Sequence, residues 1–337
     1  MRRFAMAAVI SIAIGAPVPA ALGASGPAPF VTRGKPVQAP GAGATYTART
    51  ERGATTVKTI VTRTDRRGEK TRGTIPGDWA IPAVASDRSS TGLSADGGTL
   101  VLDRIGPVDY QRTQLAVLST HPLALRQVVD LPGAFSIDAV APNGSRIYLV
   151  QYLSRSDITR YAVRAYDLRA GRLDPNPIVD PREHEGQMRG QAITRVMSPD
   201  WRWAYTLYGG GENGAFIHAL DTAQGRARCI DLPHFLARSV FNDSLRVGAT
   251  GRIDVVGKFV RPVASVNPRT FAVQPHRAGL HPMVTKPALN RRPSPGSNDG
   301  GGTSWLLLAL GAGLILAAAS FWGMPKLHRR RLAGSDD

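Results

Sequence analysis

The stretch with the densest potential for chemistry is Asp180 to Gln191, reading DPREHEGQMRGQ, where Asp180, Glu183, His184 and Glu185 stand beside Arg182 and Arg189. Carboxylates flanking an imidazole form a donor set suited to metal ions, and the same groups can pass protons at a reacting centre. A single cluster of this kind reads equally as a solvated charged loop, because isolated charged side chains mostly stay in water. Asp138, in Ser136-Ile137-Asp138, and the segment Leu153 to Thr159, with Arg155 and Asp157, are the remaining candidates. No G-x-S-x-G elbow or His-Glu-x-x-His pair occurs, and Gly209 to Gly214 lacks the following Lys-Ser/Thr of a phosphate loop. The sequence therefore assigns no catalytic residue, no metal set and no cofactor. Arg63, Arg66, Arg67, Lys70 and Arg72 crowd one turn and form a candidate contact for anionic surfaces, with a plain solvated turn as the alternative. Cys229 is the sole cysteine, so no intrachain disulfide forms; a small buried apolar role suits it better than that of an activated nucleophile.

The elements that position these residues read as short strands. Arg195 to Pro233 (RVMSPDWRWAYTLYGGGENGAFIHALDTAQGRARCIDLP) alternates Trp201, Trp203, Tyr205 and Leu207 against Arg202, Ala204 and Thr206, the period of a strand. Gly209 to Gly214 reverses the chain, Phe216, His218 and Leu220 alternate again, and Thr222 to Gly225 makes a second turn, so the unit is a β-meander. Weaker copies recur. Leu93-Ser94-Ala95-Asp96-Gly97, Val140-Ala141-Pro142-Asn143-Gly144, Met197-Ser198-Pro199-Asp200 and Gly248-Ala249-Thr250-Gly251 each precede an apolar strand. Ser94, Ala141, Ser198 and Gly248 are spaced by 47, 57 and 50 residues. Self-similarity near this period, with about four strands per copy, predicts an all-β fold of β-propeller blades, about five, with the first and last incomplete.

Ser-Pro-Asp-Trp-Arg-Trp-Ala-Tyr at Ser198 to Tyr205 and Ala-Pro-Asn-Gly-Ser-Arg-Ile-Tyr at Ala141 to Tyr148 resemble the blade motif of bacterial secreted propellers of the YVTN, TolB-like and WD-repeat-like kinds. The resemblance covers roughly residues 44–274, with Trp201 in place of the usual glycine, and it implies a fold without implying an activity. In such a fold the Asp180 to Gln191 and Leu153 to Thr159 loops are expected on one ligand-facing side. Asp138 is the acid expected at the central channel, as a ligand group or as a structural hydrogen-bond acceptor.

The two ends set an expected topology. Arg2 and Arg3, the apolar run Phe4 to Ala16 and small residues through Ala24 have the order of a secretory signal peptide over residues 1–24. A Pro/Gly-rich leader follows over 25–43, the propeller-like body over 44–274, and a Pro/Gly-rich flexible stalk over 275–304. Residues 305–324, WLLLALGAGLILAAASFWGM, carry no charge and are long enough to span a bilayer, and the basic tail 325–337 is expected in the cytoplasm. The expected protein is thus single-pass in the cell membrane with its body outside. The tail resembles a Gram-positive wall-sorting signal, but residues 291–304, RRPSPGSNDGGGTS, lack the LPxTG-type pentapeptide, so retention by the intact helix is expected. Of the formal charge of +17, the body keeps most, which suits anionic partners. The expected partners are the membrane, reached through the helix, and an envelope protein or anionic wall polymer, with nucleic acid excluded by export. The function read from this is a non-catalytic binding, scaffolding or sensing module. The alternative is a metal-dependent hydrolase or lyase using Asp138 and the Glu183 to Glu185 loop.

Overall fold

Five antiparallel meander sheets follow one another along the chain in the computed structural model, which describes residues 30–276 except 42, 184–187, 212–213, 233–239 and 258–260. Sheet one comprises Val37–Gln38, Thr45–Arg52, Val57–Thr64 and Lys70–Pro76; sheet two comprises Trp79–Ala80, Thr99–Arg104, Arg112–Thr120 and Leu123–Pro132. Sheet three is Phe135–Val140, Arg146–Tyr152, Arg160–Asp167 and Arg172–Leu173, with Met188–Arg189 added along the third strand. Sheet four is Gln191–Met197, Trp203–Gly211, Gly214–Asp221 and Arg226–Asp231, and sheet five is Ser244–Val247, Ile253–Val256, Pro262–Val266 and Val273–Pro275. The first and last sheets, expected to be incomplete, each have four strands. The missing strand of sheet one is Val37–Gln38, hidden in a Pro/Gly-rich stretch too short to show a period. Among the described residues the helical content is one 3-10 turn, Val240–Asn242, and no helix is long and apolar enough to cross a membrane. The expected signal peptide, the span Trp305 to Met324 and the basic tail lie outside the described residues, as does the stalk beyond residue 276.

Two turns recur at matching places, and their hydrogen bonds explain the sequence repeat. Before the second strand of sheets two to five, the amide three residues on bonds back to a carbonyl: Gly97 to Ser94, Gly144 to Ala141, Trp201 to Ser198 and Gly251 to Gly248. In two copies the serine hydroxyl also accepts the amide five residues on, Thr99 to Ser94 and Trp203 to Ser198, and bonds the aspartate two residues on at 2.5 Å. The residue closing this turn has positive φ in all four, 69° at Gly97, 68° at Gly144, 81° at Gly251 and 56° at Trp201. Glycine takes that conformation without strain and tryptophan does not. Trp201 is therefore a turn residue, and the strand alternation expected from Trp201 onward begins at Trp203. The second recurring turn joins the third and fourth strands of sheets three, four and five. There Asp167, Asp221 and Asn267 each accept the amides two and three residues on through their side chains.

Alternation along each strand gives every inner sheet two apolar faces, and adjacent sheets pack them together. Tyr46, Val61 and Ile75 of sheet one meet Leu100, Leu102 and Leu118 of sheet two, while Leu115 and Val117 on the opposite face of sheet two meet Phe135, Ile137 and Leu149 of sheet three. Tyr148, Val150 and Tyr161 of sheet three meet Ala204, Tyr208 and Phe216 of sheet four. Tyr205, Leu207 and Ile217 close the other side against Leu245, Val255 and Ala264 of sheet five. Each of the buried Val, Leu, Ile and Phe side chains stabilises the fold by about 1.5 to 3 kcal/mol. Among the described residues no core cluster joins sheet five to sheet one. Their outward faces are polar instead, carrying Thr47, Arg49, Thr62 and Arg72 on sheet one and Arg246, Asp254 and Ser265 on sheet five, the pattern of end units that cap a stacked array.

Candidate functional site

The first strands of sheets two, three and four converge. Sheet two's first strand is split: Trp79–Ala80 and Leu93 both pair with the second strand, and the residues between leave the sheet as a strap. Gly92 returns it at φ +105°, and a Cβ there would stand 2.3 Å from the Val101 carbonyl oxygen, so only glycine fits. The strap folds into a hairpin through the Val84 amide and the Ser89 carbonyl, and is backed by Thr32 and Gly34. Its tip lies on sheet four, with the Ser86 and Asp87 amides donating to the Ala192 and Ile193 carbonyls at 3.0 and 3.1 Å. The Thr194 hydroxyl donates to Asp87 at 2.8 Å, and the Arg195 amide to the Ser89 hydroxyl at 3.2 Å.

Beneath the strap lies a buried ion pair between Asp138 of sheet three and Arg195 of sheet four, whose side chains are 1% and 3% exposed. Arg195 Nη1 also donates to the Asp138 carbonyl at 2.9 Å, and the Thr91 hydroxyl donates to the same carbonyl at 2.8 Å, so three sheets share one backbone oxygen. Asp138, the acid expected at a central channel, thus has its charge matched by Arg195. One oxygen, Oδ2, has no hydrogen-bond partner. The guanidinium's Nε is held by the Thr206 hydroxyl. Nearby, His218 is buried with neither ring nitrogen partnered; burial lowers its pKa to about 4, so the ring is neutral at ordinary pH.

Alongside the pair is a cavity of about 260 Å³ lined by Tyr152, Tyr161, Tyr208, Ile137, Val150 and the strap's Val84. Tyr161 and Tyr208 stack with ring centroids 5.5 Å apart. The Tyr152 hydroxyl meets the Ser136 hydroxyl at 3.2 Å, whereas the buried Tyr161 hydroxyl has no partner. Burial raises the pKa of both Tyr161 and Tyr208, so these phenols stay protonated and neutral. The lining offers apolar surface and hydroxyls with no net charge.

In the loop nominated for metal or acid–base chemistry, Asp180 has a structural contact. Asp180 is buried and accepts from Arg182 Nη2 at 2.6 Å and from the Cys229 amide at 2.8 Å, which ties the loop to sheet four. Burial opposes its ionisation, yet these bonds outweigh burial and hold its carboxyl below the usual range. His184 and Glu185 lie outside the described residues, and Glu183 donates its amide to the Asp180 carbonyl. Arg189 pairs with Asp157 at 3.0 Å, which joins the end of the Asp180 loop to the Leu153 to Thr159 loop. Arg155 instead lies over the Tyr110 ring, 5.1 Å from its centroid. Among the described residues no three His, Cys, Asp or Glu side chains gather as a metal would require.

The basic cluster divides. Arg63 pairs across the sheet with Tyr46 and Thr71 on the inward face, Arg66 bonds the Gly41 carbonyl, and Arg67 sits at the turn capped by Asp65. Lys70 and Arg72 point to the outward face. Cys229 is half-buried, and burial pushes its thiol pKa up to about 12, as a packing residue requires. Arg195, the strap and the tyrosine cavity were not singled out from sequence. The signal the sequence held was a single charge, Arg195, inside the strand Gln191–Met197, whose other residues are uncharged.

No protein-family model and no curated relative matches the chain. Among solved structures, a TolB from Agrobacterium tumefaciens is 13% identical at a TM-score of 0.40, covering 74% of this chain and 80% of that one. The periplasmic gluconolactonase of Pseudomonas aeruginosa is 17% identical at 0.39, covering 70% and 69%. A puromycin hydrolase is 15% identical at 0.42, and the match covers 74% of this chain but 38% of the hydrolase. Likeness at this level assigns no activity; the chain is all-β, built of successive antiparallel sheets, with propeller-type proteins among its structural neighbours.

Proposed function

We propose that the chain is a five-bladed, propeller-type binding or sensing module without catalysis of its own, held outside the cell membrane by the helix at residues 305–324. The observation that carries this reading is the mutual neutralisation of Asp138 and Arg195 beside a largely apolar, tyrosine-lined cavity. A hydrolytic centre needs a carboxylate or imidazole free to take a proton or a metal. Here Asp138 and Asp180 are each held by an arginine, and His218 and Asp103, which are not, are only 1% and 2% exposed and so closed to a substrate. A preformed cavity with few polar groups is the usual form of a small-molecule site, and 260 Å³ suits a fragment-sized neutral ligand.

The test is a thermal-shift titration of the full chain in neutral detergent with phenol and related uncharged aromatics, alongside Ala192→Phe, which fills the cavity. A shift in the native chain that disappears in the variant supports the reading; no shift at any concentration rejects the site. The alternative, a metal-dependent hydrolase or lyase of the His184 and Glu185 loop, predicts ester or lactone turnover abolished by chelators and by Glu185→Gln. Membrane topology is read separately, from protease access to a tag on the C-terminus in intact cells against lysed ones.

A further inference from the structure

Sheet one has an outward face on which no other described element packs, and its composition is one-sided. In register across three strands lie Thr47, Thr62 and Arg72, with Arg49 beside Ile60 and Thr74 on the next row and Lys58 and Lys70 at opposite ends. Arg49, Lys58, Lys70 and Arg72 are exposed, and Glu51 is the single carboxylate on the face, shared by Arg49 and Lys58. Rows about 7 Å apart along strands about 4.8 Å apart make a regular grid of hydroxyl and cationic donors. Such a grid suits a ligand with many anionic oxygens along one axis, because guanidinium and ammonium groups favour phosphate oxygens and threonine hydroxyls add neutral donors.

We infer that this face docks a linear phosphate polymer lying across sheet one. A lipid surface fits less well. Peripheral membrane contact needs apolar or aromatic side chains to enter the headgroup boundary, and the one large aliphatic side chain in the centre of the grid, Ile60, is half-buried between Arg49 and Thr74. The proposal concerns a surface distinct from the tyrosine cavity, so either can fail without the other.

The test uses the full chain in neutral detergent and fluorescently labelled long-chain polyphosphate, read by anisotropy over a salt series. Arg49→Gln/Lys58→Gln/Arg72→Gln is compared with Arg126→Gln/Arg172→Gln/Arg269→Gln, which removes the same charge from exposed positions on sheets two, three and five. Expected are a loss of about tenfold or more in affinity and a fall of about three in the salt slope for the first variant only, one per lost contact. Both faces are solvated, so unchanged thermal melts will show that all proteins are folded. Equal losses in the two variants would reduce the effect to net charge and overturn the proposal. So would no binding by the native chain at low salt, or displacement by phosphatidylglycerol vesicles but not by unlabelled polyphosphate.

Discussion

Replacing Asp103 by asparagine is expected to reshape how stability depends on pH. Asp103 lies on sheet two, 2% exposed; its side chain accepts the Arg104 amide at 2.8 Å, while Oδ2 has no partner. Burial raises its pKa from 3.8 to about 7, against the lowering effect of backbone amides from Arg104 and Ile137. The folded state therefore holds this proton more tightly than the unfolded chain. Its stabilising contribution is complete below about pH 4 and is lost as pH rises through about 7. At about 1.4 kcal/mol per pKa unit the loss amounts to about 4 kcal/mol. Asparagine does not titrate, so the stability of Asp103→Asn minus that of the native chain should be about 4 kcal/mol larger at about pH 8 than at about pH 3.5, whatever constant cost the amide brings. His218 has the opposite sign. Its pKa falls from 6.5 to about 4, so its contribution is present above 6.5 and lost as pH falls to 4, about 3 kcal/mol in all. Between these limits the two contributions nearly cancel, so the slope left to the native chain comes from other groups such as Asp243, whose carboxyl burial raises to about 6. Urea unfolding of the full chain in neutral detergent, followed by tryptophan fluorescence at three pH values, measures this. A difference between Asp103→Asn and the native chain that stays constant with pH would refute the reasoning. It would mean that the carboxyl does not pass from water into a poorly solvating interior on folding.

Arg195→Met should cost about 3 to 5 kcal/mol in urea unfolding, because it leaves the Asp138 carboxylate buried without its counter-charge; Asp138→Leu/Arg195→Met should recover much of that loss, which a purely steric defect would not allow. Trp201→Gly should raise stability by up to about 1 kcal/mol by relieving the left-handed backbone at the turn, seen as a higher midpoint of urea unfolding; an unchanged or lower midpoint would show that the strain is not felt. Cys229 should resist iodoacetamide at about pH 8 in the folded chain and react fully in urea, as counted by mass, since the raised thiol pKa leaves almost no thiolate.

Much of the fold was legible because strands with two buried faces, and turns built on Ser, Pro, Asp and Gly, leave local marks. Trp203 to Leu207 alternates within the chain, and the Ser94 and Ser198 turns repeat one hydrogen-bond pattern. Trp201 misled the reading because it occupies a glycine position, and side-chain alternation alone cannot distinguish an extended residue from one with positive φ. Phe271 does the same at the second kind of turn, at φ 58° where Gly171 and Gly225 stand, and its ring meets Trp203 edge-on at 5.3 Å. The site was less legible because its contacts are remote in sequence. Asp138 and Arg195 are separated by 57 residues, and Ser89 and Arg195 by 106. No periodicity or short motif records a pairing over that distance. The Asp180 loop attracted notice because its charges lie close together in the chain, yet its buried member is held to sheet four by Arg182 and the Cys229 amide.

The arginine-rich composition acquires a structural meaning once the acids are located. Asp138, Asp180 and Asp221 are almost wholly buried, and each meets a guanidinium, from Arg195, Arg182 and Arg202 respectively. Arginine suits this work because its planar fork can grip both carboxylate oxygens, and Arg182 and Arg202 each do so through Nε and Nη2. Carboxylates held in this way position turns and join neighbouring sheets, and they are no longer available as general bases. Other arginines meet carboxylates nearer the surface, Arg112 with Asp130 and Arg252 with Asp254. On sheet one four cations stand on one face with a single glutamate, which pairs with Arg49 and Lys58, so the surplus supplies attraction for polyanions at the surface.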